Sequence, residues 1–319
     1  DTIVAGEGDS VDGGAGSDDI GYVVGVARLE GGVGDVDRLV LASSITSFDL
    51  LAQASVVGGF EVIDASRAKA AVTVQGDGQA QTIYGGNAGG LVDGREGADY
   101  IVGGTVGSTL DGGSGADTLV GSSGDDVFIA DELDSIAGGG GVNEVRFGAS
   151  VSAAVLADAD LVGVERVAIT ASANGLKFDF GSQTEALRIT DNDGAHTLMG
   201  GAGADTILGQ GGDDTIVAGE GDSVDGGAGS DDIGYVVGVA RLEGGVGDVD
   251  RLVLASSITS FDLLAQASVV GGFEVIDASR AKAAVTVQGD GQAQTIYGGN
   301  AGGLVDGREG ADYIVGGTV

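Results

Sequence analysis

From residue 76 to residue 129 the chain divides into six consecutive nine-residue units: GDGQAQTIY, GGNAGGLVD, GREGADYIV, GGTVGSTLD, GGSGADTLV and GSSGDDVFI. An eight-residue unit, ADELDSIA, and then GGGGVNEVR follow. A second block over 191–234 reads DNDGAHTLM, GGAGADTIL, GQGGDDTIV, the eight-residue AGEGDSVD, and GGAGSDDIG. The eighth position of the nonads is apolar throughout: Ile83, Val92, Ile101, Leu110, Leu119, Phe128, Val145, Leu198, Ile207, Ile216 and Ile233. A side chain that returns inward every nine residues is not a helix stripe; it predicts one column of a stacked solenoid. The glycines at positions one, two and four supply turns that need positive φ. With 65 Gly and no Pro in 319 residues, the chain is neither an ordinary helical globule nor collagen-like.

Two longer periods lie over the nonads. Residues 1–106 recur as 214–319 without a substitution, so the long repeat is 213 residues and the chain holds one and a half copies. Identity at that level implies a recently duplicated or homogenised array, and the reading expects the array to continue beyond this window. Inside it runs a weaker half-repeat of about 106 residues, in which Gly59-Phe60-Glu61-Val62-Ile63 resembles Gly163-Val164-Glu165-Arg166-Val167.

Charge narrows the partners. Forty-nine acidic against 14 basic residues give a net charge of −35. Phosphate recognition needs clustered Lys and Arg, so nucleic acid and anionic membrane surfaces are excluded as partners. So much negative charge favours bound cations instead. The absence of Cys removes disulfides, thiolate metal sites and Cys nucleophiles. No apolar run reaches the roughly 18 residues of a membrane span.

GGSGADTLV and GGAGADTIL match the G-G-x-G-x-D-x-U-x nonapeptide, and the chain resembles the hemolysin-type (RTX) calcium-binding repeat family. The pieces VGGFEVIDAS and LVGVERVAITAS resemble segments found between such repeats in very long bacterial surface proteins. The resemblance implies an all-β fold: a right-handed parallel β-roll or β-solenoid, two nonads per turn, with Ca2+ between turns and longer β-rungs as interruptions. It also implies that the position-six carboxylate and backbone carbonyls of the Gly-rich loops hold several Ca2+ ions. A hard ion that takes six to eight oxygens suits that donor set. The ligands so implied are Asp1, Asp18, Asp37, Asp99, Asp117, Asp126, Asp205, Asp214, Asp231, Asp250 and Asp312. Same-edge pairs are expected two units apart: Asp99 with Asp117, Asp214 with Asp231, Asp1 with Asp18, Asp18 with Asp37, and Asp231 with Asp250. Asp126 faces Asn143, a weaker ligand. Asp205 faces AGEGDSVD, where Asp222 reads one place out of register. Gln81, Gly90, Ser108 and His196 stand at position six of four nonads, where the spacing predicts turns stacked without metal.

The organisation read from composition is β-roll over 1–36, non-nonad β segment over 37–75, nonad β-roll over 76–144, non-nonad segment over 145–190, nonad β-roll over 191–249, non-nonad segment over 250–288, and the start of a further nonad block over 289–319. DRLVLA, FEVIDA and AVTVQ read as strands, and ITSFDLLAQA as a short helix or irregular coil. The non-nonad strands are either longer rungs of one solenoid or a small separate sandwich. No catalytic constellation stands out, so no enzyme is expected in this stretch. His196 is the single His and reads as a loop residue rather than a base.

Two functions fit. One is a calcium-stabilised structural stretch of a secreted giant repeat protein: a filament, sheath, surface layer or adhesin stalk. Its partners would be copies of itself or the cell surface, without membrane insertion, and its route out of the cell type I secretion. The alternative is the accessory repeat region of a secreted enzyme or toxin whose active domain lies outside this stretch.

Overall fold

The computed structural model describes residues 1–32, 35–131, 133–148, 151, 154–155, 160–246 and 248–317. Parts of the 145–190 segment and the last two residues lie outside that set. Short parallel strands make up nearly all the regular structure, with the one-turn helices Leu50–Gln53 and Leu263–Gln266 as the helical exceptions among the described residues. The chain forms a parallel β-solenoid in two compact units. One comprises Asp1–Gly148 with Ala159–Glu165, the other Ala149–Asp158 with Arg166–Val319.

In the first unit, nine strands from Thr2–Val4 to Leu161–Val162 form one sheet. The strands from Ser47–Asp49 to Glu144–Phe147 line up in a second, and Ser10–Asp12, Arg28–Glu30 and Val57–Gly58 form a third. Consecutive nonads alternate between sheets, so two nonads make a turn. Ile83 therefore pairs with Ile101, and Val92 with Leu110, at a spacing of 18 residues. Across an eight-residue unit the spacing drops by one, and Leu119 pairs with Ile136. The second unit repeats the scheme, with nine strands from Ala154–Val155 to Tyr313–Val315 in one sheet and a facing series that begins at Arg166–Ile169.

The segments without nonads supply rungs to these same sheets. Arg38–Leu41 lies between Asp19–Tyr22 and Val62–Asp64, and Val72–Gln75 pairs with Gly90–Asp93. In the second unit Arg188–Thr190 joins Arg166–Ile169 to Thr206–Leu208. ITSFDLLAQA divides into the strand Ser47–Asp49 and a single helical turn. The Asp49 carboxylate caps that turn by accepting the Ala52 N–H at 2.9 Å.

Every position-eight residue of the predicted column is buried, most of them completely. Burial of a Val, Leu, Ile or Phe side chain contributes about 1.5–3 kcal/mol, so the column is the main source of cohesion. Arginine clamps brace the outside. Arg38 forks onto Asp19 at 2.7 and 2.9 Å and reaches Asp64 at 3.3 Å. Arg95 forks onto Asp49 at 2.8 Å while donating to the Gly76 carbonyl. These guanidiniums hold the Asp19 and Asp49 carboxyls below their ordinary value, with the hydrogen bond as the chief cause.

Candidate metal centre

Position six of most nonads immediately precedes the strand, and at Gly90 and Ser108 it is the first strand residue, so it stands at the loop edge and not in the apolar column. On one edge of the first unit the residues in that place are Asp1, Asp18, Asp37, Glu61, Gln81, Asp99, Asp117 and Asp134. They form a ladder in which the backbone N–H of Asp18, Asp37, Gln81, Asp99 and Asp117 donates to the side-chain carboxylate one rung on, interrupted at Glu61, whose N–H donates to the Asp37 carbonyl. Asp18 donates to Asp37 Oδ1 at 2.8 Å, Asp99 to Asp117 Oδ1 at 2.7 Å, and Asp117 to Asp134 Oδ1 at 3.0 Å. The amino group of Asp1 donates to Asp18 Oδ1 at 2.7 Å, while the Asp1 side chain is exposed. On the other edge Ser108 donates to Asp126, and Asp126 to Asn143 Oδ1 at 3.0 Å. In the second unit one edge runs His196 to Asp214, Asp231, Asp250 and Glu274, with N–H···O distances of 2.8, 2.8, 2.9 and 3.0 Å. The other runs Leu187 to Asp205 to Asp222. Asp312 accepts from Gln294 N–H at 2.9 Å and is half-buried.

One carboxylate oxygen is thus used by the ladder. The second separates the rungs into two kinds. Asp126 closes Oδ2 on the Ser122 N–H and hydroxyl, and Asp205 closes it on the Gly201 N–H at 2.7 Å. By contrast, Oδ2 of Asp18, Asp99, Asp117, Asp214 and Asp231 is buried and has no hydrogen-bond partner. An unpaired buried carboxylate oxygen is costly unless a cation meets it. Beside it lies a second oxygen. A Cβ added to Gly94 would collide with Asp99 Oδ2 and stand 2.8 Å from the Gly112 carbonyl oxygen. Only glycine leaves that space open. The same trio recurs as Gly209, Asp214 and Gly226, as Gly226, Asp231 and Gly244, and as Gly13, Asp18 and Gly31.

Asn143 shows what such a space demands. Its Oδ1 accepts the ladder bond, and its Nδ2 donates to the Gly163 carbonyl at 2.8 Å. Where the amide supplies a hydrogen, the two groups bond directly; where Asp supplies an oxygen, two acceptors converge and require a positive charge between them. Desolvation and like charge act accordingly on the acids. Burial pushes Asp99 and Asp231 up to about 6 and Asp214 up to about 8, with neighbouring carboxylates adding to the rise. The donors are all oxygen, carboxylate plus carbonyl, which is a calcium set.

Residues 105–132 and 190–224 match the model of the RTX calcium-binding nonapeptide repeat, with four copies in all. The chain carries RTX calcium-binding repeats. No curated protein sequence matches it. Ca2+ is the ion of these RTX repeats, and the matched repeats are rungs of the parallel β-solenoid. RTX repeats are typical of secreted proteins, which agrees with an extracellular location.

Hydrogen bonds from backbone nitrogen to side-chain oxygen bring together Asp99 with Asp117, Asp214 with Asp231, Asp1 with Asp18, Asp18 with Asp37, Asp231 with Asp250, and Asp126 with Asn143. Asp222 departs from the reading. It is fully buried and in register, with Ser223 opposite Thr206, because the shorter unit loses its residue from the loop and not from the strand. Its Oδ2 accepts the Gly219 N–H three residues back at 2.6 Å, where nonads close over four. Asp134 is missed for the same reason and closes on the Asp131 N–H at 2.9 Å. Burial pushes Asp134 up to about 7.

Sequence reading also passes over Glu61, Glu165 and Glu274, each of which takes the ladder place in a GFE or GVE segment. The half-repeat is the signal that finds them. His196 is the other difference. It is a loop residue, but a buried one, with Nδ1 2.9 Å from both oxygens of Asp191 and Nε2 2.9 Å from the Ala173 carbonyl oxygen. Its signal is a paired departure in one nonad, DNDGAHTLM, with Asp at position one and His at position six.

Proposed function

We propose that this chain is a structural stretch of an extracellular repeat protein, stiffened by Ca2+ and serving as a filament, sheath, surface layer or adhesin stalk. The observation that carries the reading is the carboxylate ladder itself. It runs through nonad and non-nonad rungs alike, from Asp18 to Asp37 to Glu61 and again from Gln81 to Asp99, Asp117 and Asp134, so runs of successive rungs are tied at their loop edge. Stacked repeats gain stability from nearest neighbours, and length adds cohesion without a catalytic centre. The 213-residue duplication without substitution supports a role in which length is the product; an accessory region that helps a passenger fold needs one short block. Calcium couples folding to export, since the unmatched buried carboxylates disfavour the fold until the ion is plentiful. Copies of the same chain or the cell surface are the partners, and type I secretion is the route.

Circular dichroism and negative-stain microscopy, with millimolar Ca2+ and then with chelator, test the reading. Calcium-dependent β-structure and particles longer than a single chain are expected. A fold unchanged by chelator, with no calcium found by elemental analysis, would sink it. A calcium-dependent fold that stays monomeric at all concentrations would favour the accessory region of a secreted enzyme or toxin.

A further inference from the structure

The nonad DNDGAHTLM carries a site unlike its neighbours. Asp191 follows the strand Arg188–Thr190, His196 precedes Thr197–Met199, and Asp214 precedes Thr215–Val217 one turn on. All three side chains are buried, and one ligand atom from each lies within 4.8 Å of the other two. The Ala173 carbonyl can only accept, so the His196 Nε2 facing it at 2.9 Å carries the hydrogen. In a neutral ring Nδ1 then bears the lone pair, and it points at both Asp191 oxygens 2.9 Å away. A lone pair and a carboxylate repel unless a cation stands between them, and the cation is either a proton or a metal ion.

Charge decides between the two. A proton on Nδ1 faces Asp191 alone and supplies nothing to Asp214. A divalent ion with a neutral ring balances Asp191 and Asp214 completely. Asp214 Oδ2 is buried and has no hydrogen-bond donor. The second shell is in place as well. A ligating His commonly donates its other ring N–H to a backbone carbonyl, which fixes tautomer and orientation, as Ala173 does here. Phe178 stands edge-on to the ring at 5.7 Å and closes the apolar side.

We infer that Asp191, His196 and Asp214 hold a divalent transition-metal ion of the zinc class, distinct from the calcium slots because one donor is imidazole nitrogen. Zn2+ accepts nitrogen and carboxylate together, and three protein ligands leave one position open. Since the trio is buried, the ion enters as the chain folds. Asp214 is shared with the calcium ladder, so the zinc site and the ladder meet at one residue.

His196 is the sole His of the chain, so 15N-histidine labelling reads this ring alone. The test adds one equivalent of Zn2+ to the full chain in millimolar Ca2+, which occupies the oxygen slots. The expected result is a slow-exchange shift of Nδ1 to a metal-bound value, Nε2 remaining protonated. One tightly held Zn2+ per chain is also expected, weakened about 10–100-fold or more in His196→Asn. Asp191→Asn, which keeps the side-chain shape, is expected to weaken binding as well; circular dichroism in Ca2+ confirms that each variant folds. Two protonated ring nitrogens that ignore Zn2+, or Zn2+ binding unchanged in His196→Asn, would overturn the inference. Neither result bears on the calcium reading, whose failure shows separately as indifference to chelator.

Discussion

At the scale of single residues, the second polar atom of the position-six side chain decides whether a rung takes an ion. Asn143 donates from Nδ2 to the Gly163 carbonyl, whereas Asp99 presents an unpaired oxygen toward the Gly112 carbonyl. Asn143→Asp is therefore expected to add one Ca2+ per chain and, in chelator, to destabilise the fold by about 1–3 kcal/mol, the cost of an unmatched buried acceptor. Asp99→Asn is expected to do the reverse, losing one Ca2+ and gaining stability in chelator. Equilibrium dialysis with calcium counting, and urea unfolding in chelator, check both; an unchanged ion count in both variants refutes the assignment. A second residue-scale prediction concerns the loop's second position, which takes left-handed backbone. Gln210 sits there with φ 69°, a conformation that costs a non-Gly residue about 1–2 kcal/mol. Part of the relief is lost to the greater freedom of Gly in the unfolded chain. Gln210→Gly is expected to raise stability by about 1 kcal/mol or less in calcium. Arg95→Gly, at the same place with φ 75°, is expected to lower it, because the forked pair with Asp49 goes with the side chain. Thermal unfolding of the two variants side by side separates strain from pairing.

At the scale of the element, the column was legible and the loop was not. Ile83, Ile101 and Leu119 announce their rungs because one apolar side chain per strand must face inward, whatever the loop before it does. Asp99, Asp117, Asp214 and Asp231 are legible because the nonad places them by count. Asp134 and Asp222 escape counting because their units have eight residues, and a count cannot say where the missing one is. The structure takes it from the loop, since removing it from the strand would turn the apolar side chain outward. His196 and Asp191 are hidden for a different reason: their partnership spans a loop and reads as two unrelated departures. An insertion tests the account of the short unit. One Gly added between Gly219 and Glu220 restores nine residues, and a change of stability within about 1 kcal/mol is expected, because surface loops tolerate length. One residue added within Thr206–Leu208 flips Ile207 out of the core; that is expected to cost as much as a large-to-small core substitution, about 2–5 kcal/mol. Urea unfolding of both insertions decides, and equal costs would mean that loop length, not strand register, is fixed.

At the scale of the whole molecule, the −35 charge and the ladder make calcium, acid and salt three different perturbations. Burial raises the Asp99 and Asp231 carboxyls to about 6, Asp134 to about 7 and Asp214 to about 8, all above the ordinary 3.8. Between those values the folded chain binds more protons than the unfolded one, so without calcium its stability is fully present below about pH 4 and declines as pH rises toward 8. Calcium inverts the slope at Asp99, Asp214 and Asp231, because it binds their deprotonated carboxylates and its affinity grows with pH. In chelator the folded fraction, read by circular dichroism, is thus expected to be higher at pH 5 than at pH 8, and in millimolar Ca2+ the urea midpoint is expected to be higher at pH 8 than at pH 5. Salt separates site binding from general screening. At 150 mM NaCl the Debye length is about 8 Å, which weakens repulsion between surface acids but places no charge between Asp99 Oδ2 and the Gly112 carbonyl. In chelator at pH 8, small-angle scattering is expected to give a radius of gyration near the unfolded value of about 60 Å for this length, with or without NaCl. Millimolar Ca2+ is expected to contract it sharply. Contraction by NaCl alone would show that the acidity acts as a diffuse charge and that the ladder needs no ion at its unpaired oxygens.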